Sequence, residues 1–288
     1  MGQTKKWDNR LNVFNLHLTN ACNYRCVYCF GKFPCEKPLA LQGAKRVIDN
    51  VCRYFQTKAV TDGRINFAGG EPLLYPYLDE VIGYAHEQGV RISLVTNGSL
   101  LTKTKIRFWK DKVDCIGLSV DSFLGNRNRE IGRCNNGRTL SCSELFAIAD
   151  CIHKNGIKLK VNTVVSKYNE SEDMSDGYRR LRPERLKFLQ LQIVRTVNDM
   201  AGRLCVTKTQ FDAFCRRHQD CAVKVVVEES GSMENSYLMI NPQGQLLLND
   251  GGSYRQFGDC LTEDITNLIK KMPMDFQKFA KRYADETA

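Results

Sequence analysis

Three cysteines lie close together near the start of the chain, in the stretch Cys22-Asn-Tyr-Arg-Cys26-Val-Tyr-Cys29-Phe30. Thiolates at spacings of four and three residues can ligate an iron–sulfur cluster, in which each ligated iron takes one thiolate. Three thiolates leave one iron of a [4Fe–4S] cube open to a substrate or cofactor. The alternatives are a zinc knuckle and a chance cluster. A closed zinc site needs four ligands, and the only nearby histidine, His17, falls in a predicted strand, so the spacing favours an open iron–sulfur site.

A second set of polar residues interrupts two predicted strands later in the chain. Lys160 and Asn162 stand two apart within an apolar run, and Arg185 and Lys187 repeat the pattern. Side chains two apart on a strand share a face, so adjacent strands would present three cations and an amide on one wall. Burying such charges unpaired is costly. An anionic ligand is therefore expected there, unless these residues sit at strand ends in solvent.

The elements that must position these residues follow from the hydrophobic pattern. Short apolar runs alternate with longer helical patterns, as in βαβ units on a parallel sheet. Strands are predicted at Asn12–Leu18, Arg64–Phe67, Arg91–Thr96, Cys115–Val120, Ile157–Val164 and Leu186–Ile193. Helices are predicted at Leu39–Gln56, Tyr77–Gln88, Lys103–Lys110, Ser143–Asn155 and Asp173–Leu181. Six such units predict an α/β fold, a partial (β/α)6 barrel.

Small polar motifs follow the predicted strands at the end where barrel folds build their active sites. They are Cys22–Cys29 after strand one, Gly69–Pro72 after strand two, Asn97–Ser99 after strand three and Asp121-Ser122 after strand four. The glycine pair Gly69-Gly70 permits close approach of the main chain to a ligand, although a simple turn explains the same residues. Strand-end Asn and Ser often only cap the next helix. The agreement of four loops favours a shared site.

The pattern changes after strand six. A helix is predicted at Thr207–Gln219, followed by a strand at Ala222–Val227. A hairpin is predicted from Tyr237–Ile240 and Gln245–Leu248, and two terminal helices at Asp264–Lys271 and Met274–Tyr283. We divide the chain into an N-terminal tail at 1–11, a barrel at 12–200 and a C-terminal extension at 201–288. The extension is expected to pack on the barrel and cover its open side, within a single domain overall.

Composition narrows the class of protein. The chain has 288 residues, of which 42% are hydrophobic and 26% charged, as in ordinary globular proteins. No apolar run reaches the roughly 18 residues of a membrane span, and the polar start at Met1–Arg10 has no signal-peptide core. Thirteen cysteines without a secretory signal indicate a reducing compartment. A soluble, cytoplasmic protein is expected.

The charge points to a class of ligand. A net charge of +10 fits a polyanion, which could be nucleic acid, an acidic membrane or a nucleoside triphosphate, although a solvated basic surface is the common alternative. The sequence has neither a basic tract interleaved with aromatic residues nor an arginine-rich arm. Nucleic acid is therefore the weaker choice.

Taken together, the motifs resemble a known family. The three-cysteine stretch followed by an aromatic residue resembles the signature of radical S-adenosylmethionine (SAM) enzymes. Within that superfamily, the chain from Asn15 to about Asn249 resembles viperin and the viperin-like enzymes. The stretches that carry the resemblance are Asn66–Pro72, Val95–Ser99, Leu118–Phe123, Ile131–Arg133, Lys160–Asn162, Asn169–Met174, Arg182–Gln190 and Asn235–Leu238. The first two occur across much of the superfamily, and the later ones narrow the match to viperin.

The resemblance implies the cofactors and the residues that hold them. Cys22, Cys26 and Cys29 would bind a [4Fe–4S] cluster whose fourth iron takes SAM. The turn at Gly69, Gly70 and Glu71 would bind the SAM amino group, largely through its main chain. Tyr28 and Phe30 are also implied at the cofactor, where either could stack the adenine or simply pack in the core. The polar residues implied there are Asn97, Ser99, Ser119 and Arg133. Among these four, Ser99, Ser119 and Arg133 would contact the methionine carboxylate and the ribose.

The resemblance also implies the reaction. Lys160, Asn162, Arg185 and Lys187 would hold the triphosphate of a nucleoside triphosphate. A 5′-deoxyadenosyl radical, made from SAM with an electron from the cluster, would take a hydrogen atom from C4′ of that nucleotide. The 3′-hydroxyl would then leave, with one further electron and a proton. The product would be a 3′-deoxy-3′,4′-didehydro nucleotide, a polymerase chain terminator with an antiviral role implied by the family.

Several points stay open at the level of the sequence. A pyrimidine base is expected, CTP ahead of UTP, but the polar stretch Asn249–Gly252 is compatible with either. An external electron donor of the flavodoxin or ferredoxin type is expected, and a monomer that binds no nucleic acid. One alternative is a radical SAM enzyme acting on a peptide or another small molecule, which would show a second set of close-spaced cysteines. The other is a non-catalytic zinc or nucleic-acid-binding module.

Overall fold

The computed structural model describes residues 10–33 and 37–283, which form one α/β fold. Its strands are β1 (Val13–His17), β2 (Arg64–Ala68), β3 (Arg91–Thr96), β4 (Cys115–Ser119), β5 (Lys158–Val165), β6 (Arg185–Gln190), β7 (Lys224–Glu228), β8 (Leu238–Ile240), β9 (Gln245–Asp250) and β10 (Ser253–Asp259). Its helices are α1 (Leu41–Thr57), α2 (Leu78–Glu87), α3 (Lys103–Phe108), α4 (Gly125–Ile131), α5 (Cys142–Lys154), α6 (Ser175–Leu181), α7 (Lys208–Arg217), α8 (Ile265–Lys270) and α9 (Phe276–Tyr283).

The strands form a single sheet in the order β10-β9-β8-β1-β2-β3-β4-β5-β6-β7. Strands β1 to β7 pair in parallel in chain order. This confirms the six predicted βα units, whose boundaries agree with the structure to within three residues. In the part of the chain that the structure describes, β7 and β10 remain as the two edges. The sheet is therefore an open barrel, and the predicted fold class is confirmed.

The extension adds strands at both edges of the barrel sheet. Strand β7 pairs with β6, whereas β8 pairs in parallel with β1 and begins the antiparallel set β8-β9-β10. The predicted hairpin is confirmed. Helix α4 and strand β10 were not predicted, because Gly125–Ile131 is short and polar, and Ser253–Asp259 contains an irregularity between Gln256 and Gly258 that breaks the alternation.

The two faces of each barrel strand have different surroundings. On β1, Phe14 packs edge-to-face against Tyr54 and Phe55 of α1, whereas Asn15 and His17 line the cavity inside the sheet. The hydrophobic core thus lies between the sheet and its outer helices, whereas the barrel interior carries polar side chains among apolar ones. Among the described residues, no helix is long and apolar enough to cross a membrane.

The side chain of Asn50 joins α1 to the extension. Its amide nitrogen donates to the main-chain oxygens of Cys260 (3.0 Å) and Glu263 (2.7 Å), and its oxygen accepts from the nitrogen of Ile265 (3.1 Å). Asn50 is buried, so these three main-chain groups have little access to water. Asn50 therefore provides hydrogen-bond partners for three main-chain groups between β10 and α8, which are more than 200 residues away in the sequence.

We expect Asn50→Ala to lower the free energy of unfolding by about 3 kcal/mol, because each buried group left without a partner costs roughly 1–3 kcal/mol. Urea denaturation followed by circular dichroism would measure the change. Gln56→Ala, an exposed position on the same helix, is the control and should change stability by less than about 0.5 kcal/mol. Equal effects of the two substitutions would contradict this role for Asn50.

Candidate active site

The cysteine loop is held by main-chain hydrogen bonds on two sides. On one side, the nitrogens of Arg25 and Val27 donate to the oxygens of Gly132 (2.9 Å) and Ile131 (3.0 Å). On the other, the nitrogens of Gly70 and Glu71 donate to the oxygens of Thr19 (2.7 Å) and Ala21 (2.8 Å). The shape of this irregular loop therefore depends on the turns that follow β2 and α4.

Glycine is required where these turns meet the loop. A Cβ atom on Gly70 would lie 2.2 Å from the oxygen of Ala21, and one on Gly132 would lie 2.3 Å from the oxygen of Arg25. Both distances are too short for a side chain to exist there, and Gly132 also has a φ of +83°. The sequence argument expected Gly69-Gly70 to approach a ligand. In the structure, Gly70 approaches the main chain of the cysteine loop, while Gly69 and Gly70 also line the cavity.

The three thiols Cys22, Cys26 and Cys29 line this one cavity and are free. Burial raises the pKa of Cys26 to about 12 and also raises those of Cys22 and Cys29. Binding of iron would therefore have to displace protons from these thiols. Among the described residues, no three Cys, His, Asp or Glu side chains converge to hold a single ion. A cube does not need such convergence, because each thiolate binds a different iron.

Glu71 lies behind the cavity rather than in it. Its carboxylate is fully buried and accepts hydrogen bonds from Thr96 Oγ1 (2.6 Å), from the nitrogen of Asn97 (2.8 Å) and from the nitrogen of Leu73 (3.2 Å). Burial raises the pKa of Glu71, and these hydrogen bonds oppose that rise. The Glu71 side chain thus joins the turn after β2 to the end of β3. The residues of this turn that line the cavity are Gly69 and Gly70.

The strand-end polar residues form a hydrogen-bonded group beside the cysteine loop. Asn97 donates to Asn23 (2.9 Å), Asn23 donates to Ser99 Oγ (2.8 Å), and Ser99 donates back to Asn97 (2.6 Å). Asn97 and Ser119 line the cavity together with Tyr24, a residue of the cysteine loop that the sequence analysis did not single out. Ser99 bonds Asn23 and Asn97 but does not line the cavity, so its predicted contact with SAM stays a prediction.

A buried ion pair fixes Arg133 next to the cysteine loop. Its Nη1 lies 2.8 Å from Asp121 Oδ2, and its Nη2 donates to the oxygen of Ser119 (2.6 Å). Burial opposes the charge on the guanidinium, but the Asp121 carboxylate outweighs it and raises the pKa of Arg133. Nη1 also lies 3.8 Å from Cys26 Sγ. Arg133 therefore presents a permanent positive charge at the cavity wall.

The two aromatic residues that flank Cys29 have different surroundings. Tyr28 donates its hydroxyl proton to Asp121 Oδ2 (2.7 Å), and its ring packs with Ile131 and Leu191. Tyr28 thus packs in the core, one of the two alternatives from the sequence, and it also lines the cavity. Phe30 instead meets Tyr237 edge-to-face at 6.2 Å, and both of these rings line the cavity. Stacking of the SAM adenine on either ring stays a prediction.

The polar residues of β5 and β6 form one wall, as the spacing predicted. Lys160 pairs in register with Arg185, and Asn162 with Lys187. Lys160, Asn162 and Lys187 line the cavity, and the buried Arg185 donates from Nη2 to the oxygen of Arg282 on α9 (3.1 Å). These residues therefore lie together in the barrel interior rather than in solvent at strand ends.

The sequence analysis missed an internal anion in this wall. Glu228, at the end of β7, pairs with Lys187 and also with Arg282 Nη1 (2.7 Å). Burial alone would raise the pKa of Glu228, but the charges of Lys187 and Arg282 outweigh burial and lower it. The sequence showed a glutamate closing a run of three valines. This pattern indicated a polar residue at the end of a strand, but no neighbouring residue indicated that Arg282 would be its partner.

Comparison with known proteins identifies the family. Residues 16–180 match the radical SAM superfamily. The S-adenosylmethionine-dependent nucleotide dehydratase of Selenomonas ruminantium is 33% identical over 94% of this chain and 98% of its own length. The chain belongs to the viperin-like nucleotide dehydratases of the radical SAM superfamily. A dehydratase of the same name from Danio rerio is 30% identical, over 85% of this chain and 66% of that protein.

Solved structures support the same fold. Streptococcus suis SuiB bound to S-adenosylmethionine has a TM-score of 0.69 at 12% identity and covers 95% of this chain and 68% of its own. The enzyme anSMEcpe with bound AdoMet and a peptide has a TM-score of 0.67 at 15% identity, over 93% of this chain and 82% of its own. Such identities show the fold alone. The family uses a [4Fe–4S] cluster and SAM, and the three free thiols beside one cavity fit that cluster.

We expect Glu228→Gln to destabilise the protein by about 3–5 kcal/mol at neutral pH, because Lys187 and Arg282 would lose their buried partner. The folded-state pKa of Glu228 is depressed, so its contribution is present above the unfolded pKa and is lost as the pH falls through the folded pKa. The difference between the two proteins should therefore shrink on acidification. Because the contribution is lost only below the ordinary glutamate pKa of about 4.3, urea denaturation between about pH 7 and pH 3 would measure it.

The adjacent glutamate provides the control. Glu229 pairs with Lys208 at 2.7 Å, but both side chains are exposed, and such pairs contribute about 0–1 kcal/mol. Glu229→Gln should change stability little at any pH in this range. Equal losses for Glu228→Gln and Glu229→Gln would refute the buried ion cluster.

Proposed function

We propose that this dehydratase acts on a pyrimidine nucleoside triphosphate, CTP ahead of UTP, and forms its 3′-deoxy-3′,4′-didehydro analogue. The observation that carries the proposal is the shared cavity. Cys22, Cys26 and Cys29 line it, and so do Lys160, Asn162 and Lys187 of β5 and β6. The relatives are named nucleotide dehydratases, and a wall of cations suits the polyphosphate of a nucleotide.

The charges that line the cavity support a polyanionic ligand. Its basic residues are Arg133, Lys160, Lys187 and Arg282, and its acidic residues are Asp121, Glu228 and Glu229. Each of these acids has a cationic partner: Arg133 for Asp121, Lys187 and Arg282 for Glu228, and Lys208 for Glu229. A polyphosphate bound at Lys187 would compete with a single carboxylate. Several phosphate oxygens can outweigh one carboxylate in such a contest.

Each end of the cavity would have its own task. When bound, the cluster and SAM supply one-electron chemistry that removes a hydrogen atom from the substrate. Cys22, Cys26 and Cys29 would hold the cluster, and the main chain of Gly69 and Gly70 would hold the SAM amino group. The β5–β6 wall would fix the triphosphate, so that C4′ of the ribose faces the cysteine loop. Loss of the 3′-hydroxyl as water then takes one further electron and one proton.

The role of the product and its setting belong to the same proposal. The didehydro nucleotide would act as a chain terminator in antiviral defence. An electron donor of the flavodoxin or ferredoxin type would serve the cluster, and the chain would work as a monomer. Twelve cysteines among the described residues are free thiols, which supports the reducing conditions of a cytoplasmic location.

We expect Lys187→Ala to weaken nucleoside triphosphate binding by about 2–4 kcal/mol, because it removes a charge-assisted contact from a shielded site. Arg185 is buried and does not line the cavity, so Arg185→Ala should weaken nucleotide binding by a smaller amount, through the loss of a positive charge behind the wall. SAM binding should change little. Isothermal titration of the reconstituted enzyme with each ligand would measure both. Lys110→Ala, an exposed lysine outside the cavity, is the control. Equal losses for both ligands, or no loss for the nucleotide, would remove these residues from the substrate site.

We expect competition between the four ribonucleoside triphosphates to yield didehydro products mainly from CTP. Cytosine and uracil present opposite donor and acceptor patterns at N3 and C4, and a site that binds one pattern leaves groups unpaired with the other. Anaerobic turnover at equal concentrations, with products identified by mass spectrometry, would measure the preference. The triple variant Cys22→Ala, Cys26→Ala, Cys29→Ala should lose the iron–sulfur absorbance and all products. Product from a purine nucleotide alone would contradict the proposed base.

A further inference from the structure

His17 ends β1 with an imidazole that is only 3% exposed and lines the cavity. Among the residues that the structure describes, neither ring nitrogen has a hydrogen-bond partner. Native proteins rarely leave a buried polar group unmatched, and such a group calls for an explanation. Phe33 packs edge-to-face on the ring at 5.1 Å. That contact holds the ring in place but offers no hydrogen bond.

The polar residues beside His17 in the barrel interior are matched. Asn15 donates to the oxygen of Leu238 (2.8 Å) and to the Tyr283 hydroxyl (3.2 Å), and it accepts from Asn66 Nδ2 (2.8 Å). Asn66 in turn accepts from Ser93 Oγ (2.8 Å). These side chains form a closed network that joins β1, β2 and β3 to α9. The next inward residue of β1 is His17, and it takes no part in that network.

His17 lies at the end of the cavity where the chemistry would take place. A Cβ atom on Gly31 would lie 3.9 Å from His17 Cε1 and 4.0 Å from Cys29 Sγ. The imidazole therefore borders the cysteine loop, whereas the triphosphate wall lies on β5 and β6. A nucleotide held by that wall must bring its ribose towards the cysteine loop for C4′ to react. The group of the substrate nearest His17 would then be the sugar.

The chemistry of the ring fits a hydroxyl. Burial lowers the pKa of His17 to about 4, so the ring is neutral near pH 7 and offers one donor and one acceptor. A hydroxyl also offers one donor and accepts through its lone pairs. A phosphate or carboxylate would be served better by the cations elsewhere in the cavity.

We infer that His17 is a positioning residue that hydrogen-bonds a ribose hydroxyl of the nucleotide substrate and so directs C4′ towards the cysteine loop. The inference rests on the proposed function. It adds to the triphosphate wall of β5 and β6 a second point of attachment, on β1. Two fixed points define the orientation of the sugar, whereas a flexible triphosphate alone does not.

Binding, rather than turnover, tests this inference. The ligands are CTP and UTP, the 2′-deoxy and 3′-deoxy analogues of each, and inorganic tripolyphosphate. Each is titrated calorimetrically into the reconstituted enzyme under anaerobic conditions without reductant. The proteins are the wild type, His17→Phe, which keeps the ring shape, and His17→Asn, which keeps a donor and an acceptor. Thermal unfolding checks that both variants are folded, and SAM is titrated separately.

We expect His17→Phe to weaken binding of the ribonucleotide about tenfold, the size of one lost hydrogen bond, with partial recovery in His17→Asn. The loss should disappear for the one deoxy analogue that lacks the contacted hydroxyl, and tripolyphosphate and SAM should bind unchanged. Unproductive SAM cleavage per didehydro product should also rise in His17→Phe.

Three results would overturn the inference while leaving the proposed function intact. Equal losses for the ribonucleotide and both deoxy analogues would assign His17 to the base or to packing. A loss confined to SAM would assign it to the cofactor, and no loss for any ligand would remove it from recognition altogether. Failure of the wild type to bind any nucleotide would instead refute the proposed function, and this inference with it.

Discussion

Charge compensation inside the barrel is the constraint on which the rest of the structure depends. Glu228 at the end of β7 pairs with Lys187 of β6 and with Arg282 of α9. These three groups are buried, and removing one partner would leave an uncompensated charge at high cost. This group of three charges therefore fixes β7 and helix α9 relative to β6. The extension is tied to the barrel by the same residues that line its cavity.

The sequence predicted what depends on local pattern. Alternating polar residues placed Lys160, Asn162 and Lys187 on one wall, and cysteine spacing located the loop at Cys22–Cys29. It could not predict the pairing of Glu228 with Arg282, because 54 residues separate them and neither stands in a motif. For the glycines after β2 it offered a ligand contact or a simple turn, and not a contact with the cysteine loop. The close approach of Gly70 to the oxygen of Ala21 joins two separate loops. The pattern of residues within either loop therefore cannot predict it.

The cysteine loop shows how an irregular segment is given a defined shape. Its main chain pairs with Ile131 and Gly132 on one side and with the turn at Gly70 and Glu71 on the other. Glu71 then passes that constraint to β3 through Thr96 and Asn97. Arg133 follows Gly132 directly, and its bonds to the oxygen of Ser119 and to Asp121 tie the first contact to the end of β4. The positions of the thiols are thus determined by three neighbouring strand ends, although none of these supplies a thiol.

The alternation that builds the cavity also fixes the register of the sheet. On β1, Asn15 and His17 face inward while Phe14 packs on α1, and on β6 Arg185 and Lys187 alternate with buried Leu186 and Phe188. A slip of one residue would turn these cations into the hydrophobic core and the apolar side chains into the cavity. Burying an unpaired cation costs far more free energy than losing one main-chain hydrogen bond. The inward-facing polar side chains therefore cost solvation energy, but they exclude wrong strand pairings. The same residues that select the register form the wall of the candidate site.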